Sequence, residues 1–196
     1  MNNFITRDKT IRKVLMSELQ NKYNGPDTAI IPEFSISNGS VRADIAVING
    51  IMHCYELKGD LDNLFRLSAQ ANTYNLIFDK VTLVVGKSHV VEALRMIPDW
   101  WGITIAKVVD SEYEPKLISV RNAEENPAQD LLTIANMLWK TEALDILKRR
   151  NLAHGMNSKN KKEICEVLVK NFTERELKAS VRECLVTRRQ NAFYSL

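Results

Sequence analysis

Two asparagine–glycine pairs, Asn38-Gly39 and Asn49-Gly50, separate three runs rich in apolar residues at about 29–36, 41–48 and 51–58. Asn-Gly accepts the positive-φ conformations of tight hairpin turns, so this stretch reads as a three-stranded antiparallel meander. The hydrophobic period differs on either side of it. Residues 10–23 carry Ile11, Val14, Leu15 and Leu19 at helical spacing, and Asn24-Gly25-Pro26 ends that helix. Glu18 falls within the same stripe, where a carboxylate is costly unless a cation meets it. A second helix is expected over 60–78, with Leu64, Leu67, Ala71, Tyr74 and Phe78 on one face. Strands then follow at 80–85, 103–109 and 116–120, with a helix at 90–97 between the first two. The pattern specifies an α/β fold, a central mixed sheet flanked by helices.

Composition shifts at 121–129, and everything beyond reads helical: about 127–150, 159–171 and 174–189. Asn126-Pro127 resembles an N-cap followed by proline at the first helical position, and Thr173-Glu174-Arg175-Glu176 is a capping box. The expected organisation is a core over residues 1–122 and a basic helical region over 123–196. From Lys148 onward there are 12 Lys and Arg against 5 Asp and Glu, although the whole chain carries only +3. A basic tail on an acidic body suits a protein whose tail meets phosphates while its body holds a cation; a solvated helical surface has the same composition. Three cysteines without CxxC spacing argue against a disulfide framework and a zinc site. No apolar run is long enough to span a membrane, and residues 1–8 lack the apolar stretch expected of a signal peptide. A cytoplasmic protein is expected.

Glu33, Asp44 and Glu56 lie on or beside the meander, and Lys58 follows Glu56 by two residues. Strand side chains alternate, so Glu56 and Lys58 project to one face. Converging carboxylates supply the hard oxygen donors that Mg²⁺ or Mn²⁺ requires, and a lysine beside them can offset charge on a phosphate. A surface salt bridge is the plain alternative. Parity constrains the hairpin as well. A bare two-residue Asn49-Gly50 turn would put Asp44 and Glu56 on opposite faces, where they could share no cation. A three-residue loop, Ile48-Asn49-Gly50 with Gly50 left-handed, instead pairs Val47 with Ile51 and sets Asp44 opposite Cys54 and Glu56 opposite Arg42. An odd-length connection or a bulge is therefore expected.

Asp44, then Glu56-Leu57-Lys58, then Gln70-Ala71-Asn72-Thr73-Tyr74 in the next helix resemble the PD-(D/E)XK, or restriction-endonuclease-like, nuclease superfamily, in the branch with a QxxxY motif. A glutamate-bearing helix followed by three strands also fits. The resemblance spans roughly residues 10–109 and departs from the motif at Ala43, where its name has proline. It implies a restriction-endonuclease-like core with a C-terminal helical extension, hydrolysing phosphodiester bonds with Mg²⁺ or Mn²⁺. Asp44, Glu56 and Lys58 would be catalytic, with Asp44, Glu56 and the Leu57 carbonyl as metal ligands. Glu33 or Glu18 would add a third carboxylate, Glu33 being preferred. Gln70 and Tyr74 would shape the site. DNA is the expected substrate, with RNA open.

Arg66 shares a helix face with Gln70 and Tyr74 at intervals of four, so Arg66, together with Arg42, is a candidate phosphate contact. An Arg66–Asp62 surface pair is the alternative. Trp100-Trp101-Gly102 reads as a core anchor, and the three histidines show no ligand spacing. Residues 143–150, a loop with Gly155, and 158–169 are weakly similar to a SAP-type DNA-binding helix-loop-helix. A helical bundle that caps the core or joins two copies in a homodimer accounts for the same residues. The competing function is a nucleic-acid-binding or assembly protein that keeps the nuclease fold without catalysis.

Overall fold

The computed structural model describes residues 5–36, 39, 41–108 and 114–194. At its centre is a six-stranded mixed sheet whose spatial order follows the chain. The strands are β1 (Ala29–Ile36), β2 (Val41–Ile48), β3 (Met52–Lys58), β4 (Lys80–Gly86), β5 (Gly102–Lys107) and β6 (Lys116–Arg121). β1, β2 and β3 pair antiparallel, β3–β4 and β4–β5 are parallel, and β6 returns antiparallel. Parallel neighbours require crossovers, and α2 (Leu67–Tyr74) and α3 (Val90–Met96) provide them. This is the expected α/β architecture.

One face of the sheet is covered by α1 (Asp8–Lys22), whose Ile11, Leu15 and Leu19 pack on Ile45, Val47, Tyr55 and Leu57. The other face carries α4 (Leu131–Ala135), α5 (Lys140–Arg149), α6 (Lys161–Asn171) and α7 (Glu174–Tyr194). Leu147, Leu168, Leu177 and Val181 of these helices share one continuous core with Phe34, Phe78 and Trp101. Each such side chain contributes about 1.5–3 kcal/mol by leaving water. No helix among the described residues is long and apolar enough to cross a membrane.

Several local expectations need correction. The helix expected over 60–78 is only α2. Residues 59–66 are irregular because their polar side chains cap backbone instead: Asp62 Oδ2 accepts from Gly59 N at 2.6 Å, and Asp60 accepts from Thr6 N and Ser88 N. The helix expected over 127–150 is broken. Asn126 donates to the carbonyls of Asn75 and Phe78, so it ties the segment to the sheet, and Asp130 caps α4 by accepting from Thr133 N. The Thr173–Glu176 capping box is formed as expected, with Glu176 Oε2 accepting from Thr173 N at 2.9 Å. Trp101 is fully buried and donates Nε1–H to Asn75 Oδ1, as befits a core anchor. Asn38 and Val109, parts of an expected turn and strand, lie outside the described residues.

The hairpin connection has odd length, and Gly50 has φ +93°. Its register is shifted by two residues from expectation, however. The loop is Asn49-Gly50-Ile51, Ile48 pairs with Met52, and Cys54 lies opposite Ala46 rather than Asp44. A shift by two leaves the faces of the strand unchanged, and Met52, opposite Ile48, is fully buried.

Candidate active site

The β2–β3 ladder stops at the pair Ile45–Tyr55. One residue further, the Asp44 carboxylate substitutes for the missing ladder bond, and its Oδ2 accepts from Leu57 N at 2.8 Å. On the other side of β2, Glu33 has φ +51°, and no pair joins it to Asp44 although Pro32–Ile45 and Phe34–Ala43 are in register. The alternation of faces reverses at this point. Ile45 and Val47 pack under α1, whereas Ala43 joins the opposite core with Ala46 and Ile48. Strict alternation would keep Val41 and Ala43 on the side of Ile45 and Val47, but both lie on the opposite one. The reversal opens a cleft of about 540 Å³ at the carboxyl end of β3, where Asp44, Glu56, Leu57 and Lys58 meet Glu33, Arg42, Arg66 and Gln70. Crevices outside the carboxyl ends of parallel strands are the usual ligand sites of open α/β sheets.

Glu56 is fully buried, yet every oxygen has a donor. Lys58 Nζ lies 2.5 Å and Gln70 Nε2 2.7 Å from Oε1, and the Tyr74 hydroxyl lies 2.7 Å from Oε2. Burial, reinforced by the Asp44 charge, raises the Glu56 pKa to about 7 against the opposing pull of Lys58 and Tyr74. The Tyr74 hydroxyl also lies 2.9 Å from the Arg42 carbonyl, so it joins α2 to β2 as well as to β3. Burial, with the neighbouring Cys54 and Glu56, pushes its pKa well above the ordinary tyrosine value. The Gln70 Oε1 atom is buried and has no hydrogen-bond partner among the described residues. An unmet acceptor in a cleft wall is a place for a donor from water or ligand.

The sequence reading missed Arg12. From α1 its guanidinium donates to Asp44 Oδ1 at 2.7 Å and to the Asp44 carbonyl at 2.9 Å. It also meets Glu33 Oε1 at 2.8 Å and Asp8 Oδ2 at 3.1 Å. Burial works against its charge, but the bonds to Asp8 and Asp44 hold its pKa above the usual arginine value. Asp8, likewise overlooked, lines the cleft. The signal was available, since Asp8 and Arg12 sit one helical turn apart, but helical spacing alone cannot show what lies across the sheet.

Glu18 is not brought to this site. It is exposed and lines a different cleft with Lys22, His53 and Lys80, where burial raises its pKa. The helix stripe turns Ile11, Leu15 and Leu19 inward and leaves Glu18 at its edge. Glu33 does line the cleft with Asp44 and Glu56, but it is paired to Arg12 and, at 3.5 Å, to Arg42. Arg66 lines the cleft and has no ion pair with Asp62.

Among the described residues, no group of three or more His, Cys, Asp or Glu side chains is arranged to hold a metal ion. Asp44, Glu56 and a backbone carbonyl are nonetheless hard oxygen donors of the type Mg²⁺ prefers. That ion commonly takes only one or two carboxylates and completes its shell with water and substrate phosphate. The donor chemistry fits, with the carboxylate oxygens engaged by Arg12, Lys58, Gln70 and Tyr74.

Comparison with known proteins gives two individual likenesses. Protein cII of Enterobacteria phage P4 is 25% identical over 193 residues, covering 97% of this chain and 69% of that protein. The solved structure of SPO1766, a protein of unknown function from Silicibacter pomeroyi, has a TM-score of 0.46 and 18% identity, covering 79% of this chain and 98% of that one. A family model described as Bacteriophage P4 protein cII matches residues 1–195, nearly the entire length. The chain belongs to the bacteriophage P4 protein cII family.

Proposed function

We propose that this protein is a metal-dependent phosphodiesterase of the PD-(D/E)XK type with a restriction-endonuclease-like core, acting on DNA. The observation that carries this reading is the shared cleft at the end of β3. Asp44 and the Glu56-Leu57-Lys58 strand end lie there together, and Gln70 and Tyr74 of the following helix grip Glu56. These are the residues that the resemblance to the superfamily calls for, in the order it calls for them. The exposed cations Arg42 and Arg66 at the cleft suit a phosphate backbone.

Asp44, Glu56 and the Leu57 carbonyl would hold Mg²⁺ or Mn²⁺. When bound, such an ion lowers the pKa of its water and stabilises charge on the phosphoryl oxygens. Lys58 orients the attacking water and offsets the negative charge that builds on the phosphate. Tyr74 and Gln70 fix the Glu56 carboxylate, and Arg12 fixes Asp44. A Glu56 pKa of about 7 makes its charge, and hence cation binding, sensitive to pH near neutrality.

A second reading has an observation of its own. All four oxygens of Asp44 and Glu56 lie within hydrogen-bond distance of protein donors, as in a site that keeps its shape without cleaving. Incubation with labelled single- and double-stranded DNA and RNA, in Mg²⁺, Mn²⁺ or EDTA, separates the two. We expect cleavage that EDTA abolishes. Asp44→Ala, Glu56→Ala and Lys58→Ala should each lose at least about 100-fold while staying folded, and double variants should be scarcely worse than singles. Wild-type cleavage by any single variant would sink the mechanism, and binding without cleavage would select the second reading.

A further inference from the structure

The connection between β3 and α2, residues 59–66, forms one wall of the cleft through Asp62, Asn63 and Arg66. It also exposes two large apolar side chains, Phe65 at 90% and Leu61 at 64%. A mobile tip could expose a phenylalanine by accident, but this segment is anchored at both ends. Asp60 accepts from Thr6 and Ser88, and although burial pushes its pKa up, those bonds hold it down at about 2. Leu64 and Leu67, on either side of Phe65, are buried in the core. The backbone holds Phe65 in water beside the rim of the cleft that Arg66 lines, while its apolar neighbours Leu64 and Leu67 are inside.

We propose that Phe65 is a base-stacking platform at the mouth of the cleft, and that the preferred nucleic acid presents an unpaired base beside the phosphate gripped by Arg66. This inference rests on the nucleic-acid reading above. An aromatic ring stacks on any base because every base has a π-face, but in a duplex that face is already covered by its neighbours. Arg66, adjacent in sequence and without an ion-pair partner among the described residues, supplies the phosphate contact one residue from the stack. The charge and the ring together fit a single strand, an overhang or a flap rather than continuous blunt duplex.

The test is fluorescence anisotropy of the full chain in EDTA, where no cleavage occurs. Its probes are a labelled single strand, a blunt duplex and a duplex with a single-stranded overhang. Phe65→Ala should weaken the single strand and the overhang about 5- to 150-fold, the range one lost base–aromatic stack gives. The blunt duplex should change little, and Phe65→Trp should restore affinity with quenched indole emission on binding. The salt slope should be unchanged in Phe65→Ala but reduced by about one in Arg66→Gln. Equal single-strand affinity of Phe65→Ala and wild type overturns the proposal, as does failure of the wild type to bind any probe. A Phe65-dependent dimer in light scattering also overturns it by assigning the ring to a protein interface. Parallel cleavage assays keep the two inferences apart. Glu56-dependent cleavage with Phe65-independent binding removes the platform alone, and Phe65-dependent binding without cleavage removes the nuclease reading alone.

Discussion

Glu56 and His53 stand three residues apart on β3 and titrate in opposite senses. Burial and Asp44 keep the Glu56 proton on up to a pH of about 7, against 4.5 for a free side chain. That contribution to stability is complete below 4.5 and is lost as pH rises through 7. His53 is held neutral down to about 3, against 6.5, by burial and by Lys80 and Lys22. Its contribution is present above 6.5 and is lost as pH falls. Between 4.5 and 6.5 the two slopes cancel. Relative to the wild type in this window, Glu56→Gln should gain stability as pH rises and His53→Gln should lose it, each by roughly 1 kcal/mol per pH unit. Urea unfolding at stepped pH in EDTA measures both differences; parallel curves for all three proteins would contradict these assignments. Glu33 offers a second residue-scale test, because its φ of +51° is costly for any residue with a β-carbon. Glu33→Ala and Glu33→Gly both delete the Arg12 pair, but glycine tolerates that backbone. The glycine variant should be the more stable by up to about 1 kcal/mol, read from urea midpoints.

At the scale of elements, the site depends on where regular structure stops. The β2–β3 ladder ends one pair early, and the Asp44 carboxylate completes it through Leu57 N. The hydrophobic pattern indicated the strands and the parity argument an odd hairpin, and both were legible because they are local. The two-residue difference in register was not, since a shift by two leaves every side chain on the same face and so leaves no mark in the local pattern. The loop after β3 was misread for another reason. Its apolar spacing is helical, but Gly59 and Asp60 pack against residues from the N-terminus and from β4. A β-carbon at Gly86, the last residue of β4, would lie 2.5 Å from Asp60 Oδ1 and 2.7 Å from Asp60 N. Gly86→Ala should therefore push the 59–66 loop outward and destabilise the fold by about 1–3 kcal/mol. Faster tryptic nicking after Arg66, together with a lower urea midpoint, would register it. An unchanged digestion rate would show that the loop does not depend on this contact.

For the whole molecule, the helices beyond residue 123 are part of the core rather than an appendage. Leu147, Leu168 and Leu177 share the cluster that holds Phe34 and Phe78 of the sheet. Arg188 bonds to Glu142 and the Met137 carbonyl, and Lys178 lies 3.9 Å from Asp79, whose carboxylate accepts from Met52 N. Much of the basic charge of the tail is answered internally: Lys148, Arg149, Arg150, Lys159, Lys178, Arg182 and Arg188 all lie within ion-pair distance of carboxylates. A truncation after Asn122 would expose the sheet face under these helices. We expect such a fragment to bind 8-anilinonaphthalene sulfonate, to lack near-ultraviolet circular dichroism and to unfold without a cooperative transition. A sharp, reversible transition would establish instead that residues 1–122 fold alone.

The grouping of Asp44, Glu56, Lys58, Gln70 and Tyr74 was expected from the family resemblance, whereas the order of the six strands, the apolar face of α1 and the capping of α7 were determined by the sequence itself. Each depends on a period or motif contained within a few residues. Only the tertiary structure decided that Arg12 rather than Glu18 reaches the cleft from α1, and that Glu33 is held by that arginine. Only it decided that much of the tail's basic charge is paired with carboxylates of this chain and that the tail completes one core with the sheet. Those outcomes depend on which surfaces meet across the sheet, and contacts between residues far apart in the chain leave no local period to read.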